Sequence, residues 1–247
     1  MNHGKKNSGF TLIELLLAMS FVAALLLAIA TVVILISQVY NKGLTLKEVN
    51  QISRSVSDDL LRDISASATF SLDAAANQYV NSNPTGSRTG SPTGRICMGT
   101  FTYVWNYGWA LDSSNSGLSV YNGKSDQIRL VRIPDGDGTY CAVGSNGKLV
   151  KSKIDPAVAV ELISGTDHNL VLHQFAVTTS PTAVDSLSGQ RLYSVAFTLG
   201  TNDPTALTTD PATGGVVCKT RIEDGANPSY CSIQQFSLVA RTQYGVN

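Results

Sequence analysis

Hydrophobic and polar positions divide the chain into unlike stretches. The first nine residues, MNHGKKNSG, are polar and basic. FTLIELLLAMSFVAALLLAIATVVILISQVYN follows, and no charged residue occurs in the 27 positions from Leu15 to Asn41. About 20 apolar residues suffice to cross a bilayer as a helix, so residues 10–40 predict a transmembrane helix. The run is too long for the core of a secretory signal peptide, and no small-x-small cleavage site closes it. From Leu46 the pattern changes. Val49, Ile52, Val56, Leu60 and Ile64 recur every three or four positions, with Lys47, Glu48, Arg54, Asp58, Asp59 and Arg62 between them. This is an amphipathic stripe, and residues 41–67 are expected to continue the same helix. From Phe10 to about Ser67 it would be on the order of 85 Å long. Its only glycine, Gly43, lies where the two halves meet, and it contains no proline.

Residues 68–247 read differently. Asn81 to Arg95, NSNPTGSRTGSPTGR, is a Pro, Gly, Ser and Thr stretch expected to be a surface loop. Its Arg88 and Arg95 could meet an anionic polymer, although loop arginines are usually just solvated. Beyond it, strand composition and alternation mark Phe101–Trp109, Gln127–Ile133, Val158–Ile163, Asn169–Thr178, Arg191–Leu199, Val216–Thr220 and Ile233–Arg241. Tyr193, Val195, Phe197 and Leu199 share one face while Ser194 and Thr198 point away. Asp135-Gly136-Asp137-Gly138 and Thr213-Gly214-Gly215 are turn chemistry. The expected fold class is α+β, with one or two antiparallel sheets laid on the distal half of a long N-terminal helix.

Charge and cysteine usage refine this picture. The 18 basic and 18 acidic residues cancel, which removes a whole-chain electrostatic case for nucleic acid or anionic lipid. Lys5 and Lys6 ahead of the apolar run favour a cytoplasmic N-terminus, with the large polar domain on the far side of the inner membrane. Cys97, Cys141, Cys218 and Cys231 all lie beyond the apolar segment, without CxxC or zinc-ligand spacing. An even number in a non-cytoplasmic domain predicts two disulfides. Three connectivities are open; Cys97 with Cys141 and Cys218 with Cys231 is favoured because sequential loops close with the least entropy.

Glu14 is the anomaly. A carboxylate near the centre of a membrane helix costs roughly 2.5–3.5 kcal/mol, and less near an edge. Cleavage between Gly9 and Phe10 would place a new α-amine one helical turn away, and a neighbouring subunit's amine could approach as well. The string KKNSGFTLIELL, with Lys5, Lys6, Gly9, Phe10, Thr11, Leu12, Ile13 and Glu14, resembles the prepilin signature of type IV pilins and type II secretion pseudopilins. The resemblance covers about the first 45 residues. It implies a pilin fold, a leader of residues 1–9 removed by a prepilin peptidase, methylation of the Phe10 amine, and subunit registry through Phe10 and Glu14. It also implies an assembly platform in the membrane and other pilin subunits as partners. The filament itself would be extracellular. The proline that many type IV pilins carry in the first half of this helix is missing.

Motifs for chemistry are absent from the sequence: no nucleophile elbow, phosphate loop, HExxH or EF-hand pattern occurs. His168 and His173 are five apart and do not share a strand face, and His3 is in the leader. Asp135, Asp137 and Thr139 begin like a calcium loop, but the twelfth position is Asn146 rather than Glu, which favours a bare turn. No enzyme activity, metal or cofactor is implied. Phe101, Tyr103, Trp105, Tyr107 and Trp109 alternate, so a regular strand would put all five rings on one face. Burial against the helix is the simpler reading; Tyr103, Trp105, Tyr107 and Trp109 as an exposed platform for a surface glycan or DNA is the functional one. The leading expectation is a structural filament subunit. Its mature length, 247 − 9 = 238 residues, suits a minor pilin, and retention of Glu14 suits a place beneath another subunit. The alternatives are a filament-displayed binding module and a pseudopilin of a secretion or competence system.

Overall fold

A single helix, α1 (Leu12–Ala66, 55 residues), runs through both predicted halves and passes Gly43 without a break. In this computed structural model residues 9–73, 76–81, 83–85, 90–111, 117–142, 153–163, 168–184, 189–220 and 230–243 are described, with the backbone alone at 180–184. His3, Lys5, Lys6, Arg88 and Asn146 lie outside them. The amphipathic stripe is buried as its spacing requires: Val49, Val56, Leu60 and Ile64 are in the core and Ile52 packs at its margin. The helix stops without glycine or proline. Ser67 turns to extended backbone and returns both its N–H and its hydroxyl to the Ile64 carbonyl, at 3.2 and 2.9 Å. Phe70 then stacks on Tyr193 at 4.0 Å, and its N–H donates to the Tyr193 hydroxyl at 3.0 Å.

Two larger sheets enclose the main core. The first comprises β1 (Tyr79–Val80), β2 (Thr93–Cys97), β3 (Phe101–Asn106), β5 (Leu130–Pro134) and β7 (Val160–Glu161), antiparallel in that spatial order. The second comprises β8 (Leu170–Val184), β9 (Arg191–Thr201) and β12 (Ile233–Arg241), with β9 central. The helix lies chiefly on β12. A short hairpin pairs β10 (Leu207–Thr209) with β11 (Val216–Cys218). The α+β class therefore holds, but an all-antiparallel arrangement does not. β4 (Val120–Tyr121) and β6 (Lys153–Ile154) form a two-residue parallel pair.

Several strands differ from their sequence-based bounds. Ile233–Arg241 forms as expected, whereas Val158–Ile163 contributes only Val160–Glu161. The expected loop from Asn81 to Arg95 contains the start of β2, because Gly94 sits opposite Trp105 and leaves room for the indole; a Cβ there would lie 2.3 Å from Trp105 Cζ2. Arg95 is thus held half-buried in a strand, and burial lowers its pKa. The aromatic strand ends at Asn106. Gly108 starts the short helix α2 (Gly108–Leu111), pressed so closely on β8 that a Cβ would meet Val171 Cγ2 at 2.3 Å. Trp109 therefore leaves the alternation.

Candidate functional site: an unpartnered apolar helix with one carboxylate

The two halves of α1 have opposite surroundings. Every residue from Gly9 to Ser37 is exposed, and none of the most apolar stretch of the helix is buried. A helix that is apolar on all sides belongs in hydrocarbon or among other apolar segments. Between Phe10 and Tyr40, twenty large apolar side chains are exposed. Each gains roughly 1.5–3 kcal/mol on leaving water completely. Even at half exposure the sum is on the order of 20 kcal/mol or more, above the ~5–15 kcal/mol stability of a typical domain. Residues 10–40 are long and apolar enough to cross a membrane. The Ser20 and Thr31 hydroxyls donate back to the Leu17 and Ala28 carbonyls at 2.9 and 2.8 Å, so neither would enter hydrocarbon unpaired.

Glu14 sits at the third position of this helix, and its carboxylate is already engaged. Thr11 is the N-cap; its hydroxyl accepts the Glu14 N–H at 3.4 Å, and Glu14 Oε2 accepts both the N–H and the hydroxyl of Thr11 at 2.9 Å. This is a reciprocal capping box, and a negative charge in a first turn also meets the positive end of the helix dipole. The signal was legible as Thr-x-x-Glu ahead of an apolar run, a capping role beside the membrane and registry roles expected of Glu14 from the sequence. Both bonds fall on one oxygen. Oε1 accepts none among the described residues, so the carboxylate retains capacity for a cation supplied from outside the subunit. Gly9 and Phe10 lie just ahead of the cap, outside the helix and exposed.

No family model matches the chain, and no significant match is found among curated proteins or solved structures.

The aromatic row is not an exposed platform. Tyr103, Trp105 and Tyr107 are each 0% exposed, and Phe101 and Trp109 are partly buried against the same core. The Trp105 ring packs on Phe175 at 4.3 Å, and the Tyr107 hydroxyl donates to Asn81 Oδ1 at 3.0 Å. Burial raises the Tyr107 pKa, so the phenol stays neutral. Strand alternation placed these rings on one face; it could not show that β3 lies between two clusters. Thr102, Val104 and Asn106 on its other face are buried as well.

Both disulfides form in the sequential pairing. Cys97–Cys141 ties the end of β2 to the turn after β5, and Cys218–Cys231 ties β11 to the approach to β12. Asp135 is occupied by its own turn and by β3, accepting the Tyr140 N–H and, at 2.8 Å, the Thr102 hydroxyl. Among the described residues, no three His, Cys, Asp or Glu side chains come together to hold a metal ion. His168 pairs with Glu48 of the helix.

One buried charge went unread in the sequence. Asp63, 2% exposed, lies on the core side of α1 and accepts Arg132 Nε at 2.5 Å, Arg132 Nη2 at 3.0 Å and the Tyr103 hydroxyl at 2.7 Å. Arg132 also stacks over the Phe101 ring, 3.4 Å from its centroid. Burial pushes the Asp63 pKa up, but the bonds from Arg132 and Tyr103 and the nearby guanidiniums outweigh it, and the carboxyl is held below its ordinary value. Burial and the Asp63 carboxylate together raise the Tyr103 pKa. Asp63 falls beside Leu60 and Ile64 in helical spacing, and a carboxylate next to a buried stripe was the available signal.

Proposed function

We propose that this chain is a structural subunit, of the minor kind, in a type IV pilus-like filament, inserted as a membrane precursor and processed after Gly9. The observation that carries the reading is the division of α1. One half buries a single face against a disulfide-bonded domain, and the other is exposed on every side with a single half-satisfied carboxylate at its start. In the membrane, lipid covers the apolar half; in the filament, the same surface packs against apolar halves of neighbouring subunits. An ammonium at Phe10 of an adjoining subunit meets Glu14 Oε1, fixing axial register where a low dielectric strengthens the attraction. The disulfides suit the oxidising compartment to which the domain is carried. The pilin fold assigned here rests on the long helix laid against antiparallel sheets together with the N-terminal string.

Intact-mass measurement of protein from sheared filaments should find a methylated Phe10 as the first residue. Met1, or a terminus near residue 40, would overturn the proposal. Glu14→Gln keeps size and hydrogen bonding while removing charge. The variant should insert in the membrane at least as well as the wild type and be missing from filaments. Wild-type amounts in filaments would show that packing alone sets the register.

A further inference from the structure

A cleft lies on the outer face of the three-stranded sheet, and none of its described lining residues belongs to α1. β9 is bracketed by β8 and β12, and its Tyr193, Val195, Phe197 and Leu199 face the core. Thr198 therefore points outward. In register with it stand Gln174 on β8 and Gln235 on β12, forming a row across the sheet at about 4.8 Å per strand. A register shift between Leu172 and Gln174 inserts His173 as an extra residue. Such a bulge re-aims a side chain, and His173 joins Gln174 at the back of the cleft while Leu172 and Phe175 enter the core. The β10–β11 hairpin supplies a wall with Val216 and Val217, and Ile233 closes one side. The cavity is about 420 Å³, within the ~300–1,000 Å³ of small-molecule sites.

Its chemistry selects a ligand class. Among the described lining residues there is no Asp, Glu, Lys or Arg, so these residues offer a charged ligand no counter-charge for its desolvation. The Thr198 hydroxyl donates to Gln174 Oε1 at 3.2 Å. Gln174 Nε2 and the whole Gln235 amide have no partner among the described residues, and His173 Nε2 is committed to the Thr201 carbonyl at 3.1 Å. The Gln235 amide and Gln174 Nε2 beside a hydroxyl offer donors and an acceptor together, and an aliphatic ligand would leave them unpaired. The row lies on a face of the sheet and presents side chains, whereas an extended peptide is recognised through the backbone of an open edge. An uncharged molecule dense in hydroxyl groups, with C–H faces to lie on Val216 and Val217, satisfies all of these conditions. We propose that this cleft binds an uncharged saccharide through Gln174, Thr198 and Gln235.

The test is a titration of the full chain in micelles of a sugar-free amine-oxide detergent, read by the NMR signals of the glutamine side-chain amides. The probes are maltose, cellobiose and N,N′-diacetylchitobiose, with glucuronate and an uncharged Ser-Gly peptide as controls. At least one neutral disaccharide should shift the Gln174 and Gln235 amides and saturate at millimolar concentration, while the controls do not. Gln235→Leu and Thr198→Val should each weaken that binding roughly five- to tenfold, about one hydrogen bond's worth. Gln235 is exposed, so its variant should melt as the wild type does. The proposal is overturned if none of the three disaccharides shifts the amides, if both variants bind at full strength, or if glucuronate or the peptide binds equally well.

Discussion

Replacing Asp63 with alanine should destabilise the globular domain by about 3–5 kcal/mol, the cost of breaking a buried ion pair by removing one partner. Asp63 is 2% exposed, and the Arg132 side chain is 17% exposed. Without the carboxylate, the guanidinium remains over the Phe101 ring with no anion, and the buried Tyr103 hydroxyl loses its acceptor. Arg62, with its side chain 60% exposed, contributes little in this comparison. For a domain of this size a loss of 1 kcal/mol lowers the melting midpoint by ~2–4 °C, so the midpoint should fall by roughly 6–20 °C. Near-ultraviolet circular dichroism of the full chain in micelles reads this directly. The sign of the pH dependence follows from the lowered folded-state pKa. The contribution is complete above the ordinary carboxylate value of ~3.9 and is lost as the pH falls through the folded value, so wild type and Asp63→Ala should converge in acid. Pairing Asp63→Leu with Arg132→Met should restore most of the stability, since well-packed apolar replacements of buried ion pairs are often neutral or better. An Asp63→Ala loss below ~1 kcal/mol at neutral pH would refute the argument, because that is the range of a solvated pair.

Three further outcomes are expected. Thr11→Val removes one half of the capping box and should cost the helix start about 1 kcal/mol, seen as faster amide hydrogen exchange at Glu14 in micelles; unchanged protection would count against the cap. The disulfides close loops of unequal length, with sequence separations of 44 and 13. Serine replacement of the Cys97–Cys141 pair should cost about 4 kcal/mol and of the Cys218–Cys231 pair about 3 kcal/mol in the chain-entropy model, and denaturant melts giving the reverse order would contradict that account. Gly94→Ala drives a methyl group to within 2.3 Å of the Trp105 indole and should cost roughly 1–3 kcal/mol through overpacking. A melting midpoint equal to wild type would mean that the indole moves aside freely.

The sequence by itself determined the elements whose signal is local. A helix repeats every 3.6 residues whatever surrounds it, so the apolar run and the stripe through Val49, Val56, Leu60 and Ile64 marked α1 nearly to its ends. The alternation of Tyr193, Val195, Phe197 and Leu199 likewise marked the core face of β9, and loop-closure entropy favoured the disulfide pairing that forms. Only the tertiary structure decided what each face meets. Periodicity put the rings of Tyr103 and Trp105 on one side of a strand, but a second cluster supplied by Ile128, Tyr140 and Ile154 buried the other side too. Gly94 looked like a loop residue until Trp105 came across from β3 to cover it. Asp63 acquired its role from Arg132, and the row of Gln174, Thr198 and Gln235 exists only because three strands align in register. Backbone geometry within one segment writes a pattern into that segment, whereas burial, pairing and a shared cleft depend on residues that the chain brings from elsewhere.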